Sequence, residues 1–176
     1  LINSEKNIEI ILINDGSTDN TGQKLEQYEE NSNITIINQE NKGVSIARNK
    51  GIQVARGNYI MFCDIDDYYD ENIIPLINKK LTAENPDLLI FGRKDIQADK
   101  ILCIYPIQQI KSDINNVEYL EKFFCNGKHT YSVCNKVYKK SIIDKYNITF
   151  APKVKFSEDT LFNLEYILHC RKISVE

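Results

Sequence analysis

Short apolar runs alternate along the first half of the chain with longer stretches of mixed polar and apolar spacing. Ile8 to Ile13, Ile34 to Ile37, Tyr59 to Cys63 and Asp87 to Phe91 read as buried strands, rich in β-branched or aromatic residues and followed by turn formers. Between them, Asp19 or Thr18 caps a helix whose Leu25 and Tyr28 share a face and which fades at Asn31-Ser32-Asn33. Ser45 is the expected cap of a second helix, through Ala55 to a stop at Gly57, and Asn72 to Glu84 forms a third. After Arg93 the pattern changes. Ile101 to Ile107 suggests a strand paired with the preceding one, Val117 to Phe124 a short helix, and Gly127 to Ser132 a polar loop. Helical spacing returns at Asn135 to Tyr146 and at Asp159 to Cys170, and Ile173 to Val175 closes the chain as a strand.

Strand and helix in alternation with short connections predict an α/β fold, a mostly parallel sheet flanked by helices and wound by right-handed crossovers. Loops that follow parallel strands lie on the carboxyl edge, where α/β proteins bind ligands. Asp15, the Asn41 to Ser45 loop with Arg48 one turn beyond it, and Asp64 to Asp67 are therefore expected to converge.

The length of 176 residues suits one domain with a full core. A formal net charge of -3 argues against a nucleic-acid binder, which needs a surplus of Lys and Arg on one face. The basic stretch Lys136 to Lys140 is either a solvated helix face or a peripheral contact for an anionic ligand or membrane surface. Five cysteines, odd in number and without a Cys-x-x-Cys pair, read as reduced, mostly buried thiols. With no signal peptide visible and no apolar run near the roughly 18 residues that span a bilayer, the expected location is the cytoplasm, at most against the inner face of the membrane. Oligomeric state is not legible.

Three patches carry candidate chemistry. Asp64, Asp66 and Asp67 follow an apolar strand with no basic residue among them, a cluster best tolerated where solvent, donors or a divalent cation compensate it. If the chain stays extended, Asp64 and Asp66 project to one side, and carboxylates with phosphate oxygens make the oxygen shell that Mg2+ or Mn2+ prefers. Asn14 to Asp19 packs two acids, a glycine and two hydroxyls into one turn. Asp15 can read a base or ribose there, and Gly16, Ser17 and Asp19 can border a phosphate. Lys42 and Arg48 bring positive charge to the start of the second helix. A base-reading Asp, a cationic helix start and an acid pair together suggest a nucleoside-diphosphate site.

Glu9 to Thr21 (EIILINDGSTDNT), Asn41 to Gly57 (NKGVSIARNKGIQVARG) and Tyr59 to Asp67 (YIMFCDIDD) resemble, in order and spacing, the family-two glycosyltransferases of the GT-A fold. The resemblance continues in Cys134 to Ser141 and Phe156 to Asn163. It implies a Rossmann-like domain with a nucleotide-binding half, residues 1–93, and an acceptor-side half, residues 94–176. It also implies an inverting, metal-dependent transferase taking a nucleotide-sugar donor, UDP-linked by expectation, and a glycan or lipid-linked acceptor in cell-surface polysaccharide synthesis. By the same resemblance Asp15 binds the base with help from Arg48, Asp64 the ribose, and Asp66 the metal, with Asp67 as an additional ligand. Glu158 and Asp159 are then the catalytic pair, Asp159 being the candidate general base. Family members usually open with a strand that packs against the base, and nothing upstream of Leu1 supplies it; the resemblance implies on the order of 30 to 40 missing residues, one strand and one helix. Two other readings stay open: a non-catalytic nucleotide-binding module, and a haloacid-dehalogenase-type phosphohydrolase, whose opening signature Asp64-Ile65-Asp66 resembles although Tyr68 stands where Thr or Val is usual.

Overall fold

A computed structural model describes residues 7–98, 100–105, 120 and 131–176. Apart from Leu120, the helix expected at Val117 to Phe124 lies outside them, as do Ile107 and most of the Gly127 to Ser132 loop. The chain packs as two compact units, Leu1–Asn58 with Thr149–Glu158, and Tyr59–Ile148 with Asp159–Glu176.

The first unit follows the predicted alternation: β1 (Ile10–Asp15), α1 (Thr21–Glu26), β2 (Ile34–Gln39) and α2 (Val44–Val54). β1 and β2 pair in parallel from Ile10 opposite Ile34 to Asp15 opposite Gln39. Both strands outrun their apolar segments by two residues because polar side chains continue the pairing. Asn14 donates to Asn38 Oδ1 at 2.9 Å, and Gln39 Nε2 donates to Asp15 Oδ1 at 2.7 Å. This extension carries Asp15 to the end of the sheet. Ser45 is not the cap of α2: the cap is Gly43, two residues earlier, whose carbonyl accepts the amides of Ile46 and Ala47 at 3.1 Å. Gly43 has φ +87°, a conformation that admits glycine without strain, and so sets the start. Ser45 is buried inside the first turn. At the other end of α2 the Glu9 carboxylate accepts the amides of Arg56 and Gly57 and pairs with the Arg56 guanidinium at 2.9 Å. Asn49 fixes the returning segment by a two-way bond to the Phe150 backbone, 2.8 Å in each direction.

The second unit contains β3 (Tyr59–Met61), α3 (Ile73–Glu84), β4 (Leu88–Ile90), β5 (Arg93–Gln97), β6 (Lys100–Tyr105), β7 (Lys136–Lys139), α4 (Lys140–Tyr146), most of α5 (Glu158–Ile167) and β8 (Ile173–Val175). Its main sheet runs β3-β7-β4-β8, with β7 antiparallel to both neighbours and β4 parallel to β8. The α/β class holds, but this sheet is mixed. Helical spacing at Asn135 to Tyr146 misread β7: Lys136, Val137 and Tyr138 are all at most 1% exposed, and only from Lys140 does the chain turn helical. The apolar strands β3 and β4 each need a hydrogen-bonding partner in the interior, and β7 supplies both. The expected basic surface patch is thereby lost. Lys136 is interior, Lys139 lies 3.7 Å from Asp87, and Lys140 pairs with Asp144 at 2.7 Å. β6 pairs not with β4 but with β5, an additional strand, in an antiparallel hairpin.

Ile77, Leu89, Phe91 and Val137 form a core cluster against α3. Beside it Phe62, Tyr138, Phe162 and Tyr166 meet edge to face, contacts worth about 0.5–1.5 kcal/mol each beyond burial. Of the described cysteines, Cys134 and Cys170 are buried and Cys63 and Cys103 exposed, so only half fit the expected burial. Among the described residues no helix is long and apolar enough to cross a membrane.

Candidate active site

Asp15 sits where β1 ends, and its carboxylate gathers the next loop. Oδ1 accepts from Gln39 Nε2 at 2.7 Å and from the Lys42 amide at 2.9 Å, and Oδ2 accepts from the Gly43 amide at 2.8 Å. Partial burial raises its pKa, but these three donors and the Lys42 charge outweigh it, so Asp15 stays ionised below the ordinary carboxylate range. The same carboxylate expected to read a base therefore also anchors the α2 entry loop. Gly16 makes that approach possible. Its φ is +72°, and a Cβ there would lie 2.5 Å from the Asn41 backbone nitrogen. Gly16→Ala should cost roughly 2 kcal/mol or more, through the left-handed backbone and the clash. Urea unfolding checks this, and an unchanged midpoint would contradict it.

The other turn residues have local duties. The Asn14 side chain accepts the Ser17 amide at 3.1 Å, and Asp19 Oδ1 accepts the Thr21 amide at 2.9 Å at the start of α1. Arg48 lies 5.1 Å over the Phe150 ring, with Nη1 3.6 Å from Glu158 Oε1. Glu158 thus serves as the ion-pair partner of Arg48, and both side chains are largely buried. Asp15, Gly16, Ser17, Asp19, Lys42, Arg48 and Glu158 all belong to the first unit.

The acids after β3 belong to the second unit. β3 ends at Met61, and Asp64 to Asp67 is a turn closed by the Asp67 amide on the Asp64 carbonyl at 3.0 Å, with Ile65 98% exposed at its tip. The extended geometry that would align Asp64 with Asp66 is therefore absent. The turn instead gathers Asp64, Asp67 and Cys134, with ligand atoms within 4.8 Å of one another, and leaves Asp66 exposed. Burial, with the Asp64 charge beside it, pushes the Cys134 thiol up to about 12. A protonated thiol is a poor ligand for a hard cation, so the donor set suited to Mg2+ or Mn2+ is the carboxylates. Tyr69 holds the base of this turn, its hydroxyl bonding the Phe62 and Cys134 carbonyls.

Asp159 stands in the first turn of α5, and its Oδ2 accepts the Val133 amide at 3.1 Å. One helical turn on, Asn163 donates to the Tyr131 carbonyl at 2.7 Å and accepts from the Tyr138 hydroxyl at 2.6 Å. Lys136 follows close behind, with Nζ donating to the Ser132 carbonyl at 2.6 Å and to Asn135 Oδ1 at 2.9 Å. Burial draws its ammonium down to about 7, against the attraction of Asp159. Sequence reasoning assigned no role to Lys136, Asn163 or Cys134. Their signals were the stretches Cys134 to Ser141, where a helical reading from Asn135 hid which residues face inward, and, for Asn163, Phe156 to Asn163.

The chain matches Glycosyl transferase family 2 over residues 1–146. It is 40% identical over 176 residues to the glycosyltransferase GlyA of Streptococcus pneumoniae, covering 96% of this chain and 25% of that one. It is 29% identical over 171 residues to the uncharacterized glycosyltransferase EpsJ of Bacillus subtilis, covering 96% and 50%. Among solved structures, TarS of S. aureus, residues 1–349, superposes with a TM-score of 0.80 at 23% identity, covering 97% of this chain and 49% of that one. The chain thus spans between a quarter and a half of these proteins, and the likeness to TarS places it in the GT-A fold. No ground remains for reading Asp64-Ile65-Asp66 as a phosphohydrolase signature. A family match over most of the chain and a relative at 40% identity make this chain a member of glycosyltransferase family 2.

Proposed function

We propose that the chain moves a sugar from a UDP-linked donor, with inversion, to a hydroxyl of a glycan or lipid-linked acceptor in cell-surface polysaccharide synthesis, on the cytoplasmic side of the membrane. The observation that carries this reading is the two-residue segment Val133-Cys134. The Val133 amide holds Asp159, and the Cys134 thiol lies against Asp64 and Asp67. A proton acceptor and a carboxylate turn are thus built around one short piece of backbone, as a displacement assisted from both sides requires.

In this reading Asp15 and Arg48 hold the nucleotide base, with Gly16, Ser17, Asp19 and Lys42 beside them, and Asp64 the ribose. Asp66, with Asp64 and Asp67, would hold Mn2+ or Mg2+, which when bound supplies Lewis-acid stabilisation of the departing diphosphate. Asp159 takes the proton from the acceptor hydroxyl as the anomeric carbon is attacked. The Val133 amide fixes one carboxylate oxygen. Glu158 orients Arg48 through their ion pair rather than meeting the acceptor.

Support for a uridine nucleotide comes from TarS, solved in complex with UDP and with UDP-GlcNAc. Support for a polymeric acceptor comes from the relatives named poly(ribitol-phosphate) beta-N-acetylglucosaminyltransferase and beta-glucosyltransferase. A thermal-shift panel of UDP, UDP-N-acetylglucosamine, UDP-glucose, GDP and CDP, each with and without manganese, tests it. A ligand at a hundred times its Kd stabilises the folded state by about 2.7 kcal/mol. A clear rise with UDP or a UDP-sugar, larger with manganese, is expected. No rise with any nucleotide would contradict the reading, and binding without any turnover would favour a non-catalytic module.

A further inference from the structure

We propose that Lys136 is a positioning residue for Asp159, its interior ammonium locking the Ser132-to-Asn135 segment in the one arrangement that presents the carboxylate to the acceptor hydroxyl. This rests on the reading of Asp159 as the general base.

Lys136 is 1% exposed, where lysine is almost never found without partners. Enclosing an ammonium costs several kcal/mol before its hydrogen bonds offset it, and a strand needs no such group to pair. Val137 and Tyr138 show what β7 requires for packing alone. Two Lys136 bonds go to the residues on either side of the Val133-Cys134 segment, Ser132 through its carbonyl and Asn135 through its side chain. Asn135 in turn donates to the Phe91 carbonyl at 2.9 Å, which ties the segment to the end of β4. From the opposite side Asp159 and Asn163, one helical turn apart on α5, bind the Val133 amide and the Tyr131 carbonyl. Five consecutive residues, Tyr131 to Asn135, are therefore held from strand and helix together. The Asp159 charge favours the Lys136 ammonium that burial disfavours.

Asp159 Oδ2 is bound to an amide of this segment, so a shift of the segment shifts the carboxylate with it. Displacing a reacting group by about 1 Å can cost on the order of a hundredfold in rate. Lys136 therefore acts on kcat through geometry and leaves donor binding, assigned to other residues, intact.

The test uses the full-length protein, with UDP released from UDP-N-acetylglucosamine or UDP-glucose in the presence of manganese as the readout. Lys136→Met should lower kcat on the order of a hundredfold, with donor KM and the calorimetric Kd for UDP within about twofold. Tyr166→Phe is the control for lost packing. Tyr166 is equally buried and bridges the Lys139 amide and the Asp87 carbonyl, neither of which belongs to the Tyr131-to-Asn135 segment. It should lower the melting temperature without changing kcat. Equal kcat losses in the two variants, or an unchanged kcat in a folded Lys136→Met, would overturn the proposal. Should Lys136→Met fail to fold, Ser132→Ala carries the test. It removes only the hydroxyl that accepts the Cys134 amide at 3.0 Å, and it should lower kcat about tenfold by loosening the same segment; an unchanged value would overturn the proposal. Asp159→Asn measured alongside separates the two ideas. If that variant keeps its kcat, the assignment of the base fails and the Lys136 proposal falls with it. If it loses activity while Lys136→Met does not, only the Lys136 proposal fails.

Discussion

Asp159→Asn should lower kcat by about 10²- to 10⁴-fold, the range that general-base catalysis contributes. The substitution is isosteric, and the retained carbonyl oxygen can still accept the Val133 amide now bonded at 3.1 Å, so the fold has little reason to change. What disappears is the ability to take a proton, since a carboxamide does not do so near neutral pH. UDP affinity should stay within about twofold because Asp159 is assigned no donor contact. Steady-state kinetics of UDP release, with calorimetry of UDP binding on the same sample, distinguishes lost chemistry from lost binding. An unchanged kcat would remove Asp159 from the mechanism. Loss of UDP binding would mean that the residue shapes the donor site instead.

The second large effect is expected at the acid turn. Asp66→Ala should weaken manganese-dependent UDP binding and turnover by about a hundredfold or more, beyond what outer-sphere ligand partners contribute. Asp66 is exposed at the tip of a turn, and such truncations usually change stability by no more than about 0.5 kcal/mol. A loss would therefore report on the cation and not on folding. Asp64 and Asp67 already lie together beside Cys134, so Asp66 is the carboxylate whose orientation is least committed to the turn itself. Manganese titrations of the three single alanine variants decide the matter. If Asp66→Ala binds manganese as the parent does while Asp67→Ala does not, the assignment of Asp66 is wrong and the cation belongs to Asp64 and Asp67.

Much of this was legible in the sequence for a physical reason. The runs at Ile10–Asp15 and Ile34–Gln39 are apolar along the sheet and polar where it ends, so pattern alone located β1, β2 and the loop carrying Asp15, although β1 is only half-buried throughout and Ile34 alone of β2 is buried. Three things were hidden. Ser45 looked like a helix cap because capping propensity is local, whereas the start of α2 is set by the φ of Gly43. Asp64 and Asp66 looked like neighbours because alternation was continued past Met61, where β3 ends and an i to i+3 turn brings Asp64 to Asp67 instead. Lys136 looked like a solvated residue because a charged side chain normally is. Its burial follows from the insertion of β7 between β3 and β4, a long-range pairing that no local window contains. The same blindness concealed Asn163, whose bonds to Tyr131 and Tyr138 span more than two dozen residues.

These misreadings share a cause, in that each extended a local pattern to a place where a longer-range pairing or a turn decides the structure. The family of the chain could be read from motif order, but the contacts around Val133-Cys134 needed coordinates. Glu158 and Asp159 illustrate the difference. They are adjacent in sequence, yet one pairs with Arg48 in the first unit and the other binds Val133 in the second. An acid pair that looks like one catalytic feature is therefore two residues with separate partners.

The central claim, an inverting sugar transfer driven by a base and a departing UDP, is tested most directly by the anomeric configuration of the sugar first released when the full-length protein turns over UDP-N-acetylglucosamine with manganese and water as acceptor. Proton NMR followed from the first minutes, before the free sugar mutarotates, reads that configuration from the coupling of the anomeric proton. The α-linked donor should yield the β anomer together with UDP. Release of the α anomer, or of sugar phosphate in place of free sugar and UDP, would contradict the account.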